Sequence, residues 1–151
     1  VCTDVRGPQR PTLLASPDAQ HLVAEVTGTL AEQRHGVLDL VERLHPAASV
    51  GGLPRRDALR WLRDVEDLDR GWYAGPIGWT DDRGDGDFAV AIGSAQVCGD
   101  AATLYAGCGV AGGADPAAAF AETRLQLRTM LSALGAAPPD RLADDDAEPA
   151  T

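Results

Sequence analysis

The segment from Ala106 to Arg128 reads AGCGVAGGADPAAAFAETRLQLR, and the rest of the chain is organised around it. Gly107, Gly109, Gly112 and Gly113 form a glycine-rich loop that runs through Asp115 and Pro116 into a helix expected over Asp115 to Leu134. Amides freed by the glycines and by the helix start would make an anion cradle, and Glu122, in the second turn, could hold a hard cation. The plainer alternatives are that the loop is only a turn and that Glu122, beside Arg124 and Arg128, lies on a solvated face. Phe120, Leu125, Leu127, Met130, Leu131 and Leu134 are the expected core side of this helix.

Working back toward the N-terminus, Thr103 to Val110, Phe88 to Val97 and Trp72 to Trp79 read as an antiparallel meander. Its turns are Gly99-Asp100 and DDRGDGD at 81–87. The alternating aspartates of the second turn resemble a calcium loop, but the distal glutamate is missing, so a hairpin turn is the better reading. Pro54 opens a second amphipathic helix on Leu59, Leu62 and Val65, with Arg55, Arg56, Arg60 and Arg63 on its wetter side. Leu30, Val37, Leu38, Val41 and Leu44 predict another helix ending before Pro46, interrupted by Gly36 in its first half. His45, at the end of that helix, is either a cap for the last carbonyls or a pocket residue. Leu22, Ala24 and Val26 alternate as a short strand ending at Gly28. Residues 1–20, with Pro8, Pro11 and Pro17, read as an irregular segment. Residues 21–135 form the structured region, and 136–151 a disordered acidic tail.

The 151 residues, 44% of them hydrophobic, suit one domain able to bury a core. A net charge of −10 argues against a nucleic-acid partner. No run approaches the ~18 apolar residues of a membrane span, and no signal peptide is visible, so the expectation is a cytoplasmic protein with no membrane partner. Cys2, Cys98 and Cys108 are too few and too scattered for a disulfide framework or a zinc site. Every basic residue among the 13 is arginine. Chemistry that needs a lysine base, Schiff base or phosphate ligand within these residues is therefore excluded.

Five blocks in fixed order carry a resemblance: HPAASVGGLP at 45–54, DLDRGWYAGPIGWTD at 67–81, GDFAVAIGSA at 86–95, LYAGCGVAGGADP at 104–116 and AETRLQLRTML at 121–131. Together they resemble the C-terminal third of the chorismate-binding enzymes, closest to isochorismate synthase, over roughly Pro11 to Leu134. The resemblance implies an α+β fold of antiparallel sheets with outer helices. It also implies conversion of chorismate to isochorismate in siderophore or menaquinone synthesis, with Mg2+ as the cofactor. By the same resemblance the loop amides, Gly107, Gly109 and Gly112 among them, meet substrate carboxylate, Glu122 binds magnesium, and His45 and Ser49 line the pocket.

Three positions depart from the family pattern. Gly93 stands where an arginine follows the strand AVAI, and Ala119 and Gln126 replace the flanking glutamate and the lysine of the helix motif. The lysine base, the glutamate acid and another metal-binding glutamate belong to a part of the family enzyme upstream of Val1. The expectation is a partial chain with little activity alone, with chorismate as ligand once a complementing polypeptide is present, and with that polypeptide or a homo-oligomer as the partner. The alternative is a non-catalytic relic or scaffold with the same fold.

Overall fold

The computed structural model describes residues 1–15 and 20–136, which fall into two compact units. The first comprises residues 1–45 and 76–89, and the second residues 46–75 and 90 onward. Mixed helices and two-stranded sheets confirm the α+β class.

In the first unit, β1 (Cys2–Arg6) pairs antiparallel with β4 (Thr27–Leu30), and β2 (Thr12–Ala15) with β3 (Gln20–Val23). This corrects the irregular reading of residues 1–20. Pro8 and Pro11 lie between the strands rather than in them, and β1 is set by a partner more than twenty residues away, which local composition cannot reveal. The register of β1 against β4 slips between Thr3 and Arg6, where Asp4 takes a left-handed φ of 48°. The strand expected on Leu22, Ala24 and Val26 is β3, which ends at Val23, and Gly28 lies inside β4.

Leu30 belongs to β4, so the expected helix loses its first half and becomes α1 (Val37–Leu44). Gly36 caps it. Its N–H donates to Asp39 Oδ2 at 2.8 Å, and that bond holds the Asp39 carboxyl below its usual range. A side chain on Gly36 would begin 3.0 Å from the Gly84 carbonyl oxygen, which accepts the Val37 N–H at 2.9 Å, so glycine is needed for the close approach. Strands β5 (Pro76–Thr80) and β6 (Gly86–Val90) pair across the turn at 81–85.

In the second unit, the short α2 (Ala48–Gly51) packs against α3 (Arg55–Val65), with Gly51 against Pro46 and Leu59. The Leu53-Pro54 bond is cis. Strands β7 (Ser94–Cys98) and β8 (Ala101–Tyr105) form an antiparallel hairpin that contacts α4 (Pro116–Ala133). The meander is therefore two separate pairs, because the expected strand 88–97 breaks between Val90 and Ser94, where Gly93 adopts φ 53°.

The expected core of the last helix also needs correction. Phe120, Leu125 and Leu134 are exposed, Leu127, Met130 and Leu131 are half-buried, and the buried residue of α4 is Arg124. Among the described residues Ala74 is the single buried apolar residue, and no large side chain is fully covered. Helical spacing identifies an apolar stripe but not whether anything lies over it. The acidic tail expected at 136–151 falls outside the described residues except for Ala136.

Candidate functional site at the glycine-rich loop

The β7–β8 hairpin pairs Ser94 with Tyr105, so Gly93 and the loop that starts at Ala106 leave the same end of the sheet. Tyr105 is the last residue before the loop, and the Tyr73 ring stacks on it with centroids 5.4 Å apart and planes 13° from parallel. The segment carrying Tyr73 is fixed to Ala91 by two backbone bonds. Ala74 N–H donates to Ala91 O at 2.9 Å, and Ala91 N–H to Gly75 O at 2.8 Å.

Arg70 braces the same tyrosine. Its guanidinium lies 5.9 Å from the Tyr73 ring centroid, donates Nε–H and an Nη–H to the two Glu66 oxygens at 2.6 Å each, and reaches the Val50 carbonyl of α2 at 3.0 Å. That bidentate bond pulls the Glu66 carboxyl below its ordinary value and raises Arg70. Burial pushes the Tyr73 phenol upward, so it stays a neutral hydroxyl at physiological pH. Ser49 sits exposed one residue from Val50, and α2 is thereby tied to the tyrosine pair through Arg70.

At the loop base, the Tyr73 hydroxyl occupies the space a side chain on Gly107 would need, 2.5 Å from where its Cβ would stand. The Gly107 N–H donates to Gln126 Oε1 at 3.3 Å, and the Cys108 thiol lies 3.4 Å from the Ala119 carbonyl oxygen. Farther along, a Cβ on Gly109, Gly112 or Gly113 would meet nothing within 4 Å, and Gly113 has φ 83°. Asp115 caps α4 by accepting the Ala117 N–H at 3.1 Å, so this helix-start amide already has an anionic partner. The cradle therefore has a closed base, an open middle and a capped end.

Ala119, Glu122 and Gln126 lie on one side of α4 by helical spacing, and two of the three meet the loop base. Glu122 is exposed on that stripe. Magnesium requires an octahedral shell of oxygens, and among the described residues no three His, Cys, Asp or Glu side chains gather as a metal site. The described residues by themselves do not assemble a ligand set for the ion. His45 belongs to the first unit, where it closes α1 through its backbone, donating its N–H to Val41 O at 2.8 Å. DDRGDGD is a turn in which Asp81 Oδ1 accepts the N–H groups of Arg83 and Asp85 at 2.9 and 3.0 Å.

Sequence reasoning missed Tyr73, Tyr105, Arg70 and Glu66 as supports of the loop. The i,i+4 spacing of Glu66 and Arg70 was the available signal, but both residues precede the loop by some forty positions.

The sequence profile of the family described as chorismate binding enzyme matches residues 1–135. The chain is 42% identical over 134 residues to the isochorismate synthase MenF of Bacillus subtilis, covering 89% of this chain and 28% of that protein. It is 44% identical over 129 residues to the salicylate biosynthesis isochorismate synthase of Pseudomonas aeruginosa, covering 85% and 27%. The crystal structure of DhbC from Bacillus anthracis superposes with a TM-score of 0.85 at 36% identity. The match covers 90% of this chain and 36% of that one. The chain thus spans about a third of the length of the relatives it matches.

Proposed function

The chain belongs to the chorismate-binding enzymes, and from that membership we propose that it supplies one side of an isochorismate synthase site and is catalytically silent until the other side is provided. The observation that carries this reading is the open middle of the loop, Gly109 to Gly113, anchored beside the stripe that bears Glu122. The open amides suit a substrate carboxylate, and the exposed Glu122 offers one oxygen ligand to a magnesium ion whose remaining carboxylates come from the complement.

The reaction adds water at one carbon of chorismate as hydroxide leaves another, so a base must take a proton from the water and an acid must protonate the leaving group. The family's base is a lysine, and this chain has none. Removing a general base costs on the order of 10²–10⁴-fold, and Gly93 and Gln126 withdraw two cationic contacts as well. In this reading the chain's own part is to hold the carboxylate end of the substrate. The complement is the part of the family enzyme that bears the lysine, wherever it is encoded, and the free cysteines suit a cytoplasmic setting.

The purified chain with magnesium and chorismate should form no isochorismate, whereas adding the complementary lysine-bearing polypeptide should give turnover. Failure of both turnover and co-purification with every such polypeptide overturns the reading. A second reading, a non-catalytic relic or scaffold with the same fold, is favoured by Gly93, Ala119 and Gln126. It predicts no heat of chorismate binding in calorimetry with magnesium, and micromolar, magnesium-dependent binding overturns it.

A further inference from the structure

The same loop carries a device that belongs to this chain's own sequence. Gln126 and Gly107 are both partly buried and 19 residues apart, joined through the side-chain amide of one and the backbone of the other. A backbone N–H can only donate, so the acceptor has to be the carbonyl oxygen of Gln126, which fixes the orientation of its amide group. The bond sits where the loop has least freedom. The Tyr73 hydroxyl fills the side-chain space of Gly107, Tyr73 stacks on Tyr105 just before it, and the Cys108 thiol meets the Ala119 carbonyl just after it.

We propose that Gln126 is a positioning residue for the glycine-rich loop: its carbonyl holds the Gly107 amide, so the loop base is set before any ligand arrives and the ligand-facing part begins beyond Cys108. Gly107 then contributes its place in the fold, not its N–H, to carboxylate recognition. A ligand arriving at Gly109 to Gly113 has a shorter stretch of backbone left to order, and that lowers the entropy lost on binding. In exchange the cradle has one amide fewer. A lysine or a methionine at 126 offers no comparable acceptor, whereas a glutamate does.

This inference rests on the reading of the loop as a carboxylate cradle, but its first measurement needs no ligand. Amide hydrogen exchange is followed by NMR on the full chain, comparing the natural protein with Q126M and Q126E at neutral pH. The Gly107 amide should exchange at least about fivefold faster in Q126M and no faster in Q126E, because the carboxylate retains the acceptor. The amide of Ala119, bonded to Asp115 O inside α4, serves as the control for helix integrity. If Q126M disturbs it, Q126L replaces that variant. Unchanged Gly107 exchange with α4 intact overturns the proposal, as does equal acceleration in Q126E.

The second measurement uses the chain combined with its lysine-bearing complement. Q126M should raise KM for chorismate severalfold with little change in kcat, and Q126E should recover part of that loss. A fall in kcat at constant KM, alike in both variants, overturns the positioning role. Absence of turnover in the unmodified mixture defeats the functional reading instead, and the exchange data still decide the role of Gln126.

Discussion

Two glycine-rich connections in this chain look alike in sequence and are built in opposite ways. The turn at 81–85 closes on itself. Asp81 accepts from Arg83 and Asp85 through its side chain, donates its own N–H to Asp85 O at 2.8 Å and holds the Arg83 guanidinium at 3.1 Å. The loop after β8 is placed from outside, by Tyr73, Gln126 and the helix carbonyl of Ala119, and its middle is left open. Local chemistry shapes this turn, and its one outward bond, from the Val37 N–H to Gly84 O, starts a helix and leaves no cradle open. Long-range fastening makes a loop that can keep backbone amides available for something else.

Tyr73→Ala strikes the external fastening hardest. It removes the stack on Tyr105 and leaves Arg70 without its aromatic partner, and should cost about 2–3 kcal/mol in denaturant unfolding. Gly107→Ala comes next, at about 1–2 kcal/mol, because the new methyl group collides with the Tyr73 hydroxyl. Tyr73→Phe should relieve part of that collision. If G107A is equally harmful in the Y73F background, the packing described at the loop base is wrong.

The Glu66–Arg70 pair gives a smaller, pH-dependent effect of about 1 kcal/mol. Glu66 has a folded value below its ordinary 4.5, so the folded state releases the proton more readily than the unfolded one. The contribution is complete above about pH 4.5 and fades as the pH falls through the lower folded value. Glu66→Gln should flatten that part of the stability curve, and an unchanged acid limb would remove the pair from the account. The least effect on global stability is expected from Asp81→Ala, with faster exchange confined to the amides of Arg83 and Asp85. A global loss exceeding that of G107A would erase the distinction between the two connections.

Much of the last third was readable because its signals are local. Asp115-Pro116 opens α4 and Leu134 closes it, as helical spacing and capping chemistry predict, and Gly99-Asp100 turns the β7–β8 hairpin. The family resemblance, too, rested on blocks that the profile match over residues 1–135 now bears out. What stayed hidden depends on distant partners. Strand β1 exists because β4 pairs with it, and nothing in CTDVR says so. The stripe of Phe120, Leu125 and Leu134 was legible as apolar, but burial is a property of the neighbours, and these three face outward. Gln126 was visible as a departure from the helix motif. Its bond to Gly107 was not, since pairing a side-chain carbonyl with one backbone amide requires the loop and helix to be set side by side.

Trp61, Trp72 and Trp79 are all exposed. Indole emits at longer wavelength in water than in apolar surroundings, so the chain carries its own optical reporter. Alone it should fluoresce like a solvated tryptophan peptide and be readily quenched by iodide. Capture by a complement that covers any of the three should shift the emission to the blue and shield it from the quencher, without a dye or a tag. Single Trp→Phe replacements would then show which indole the complement covers.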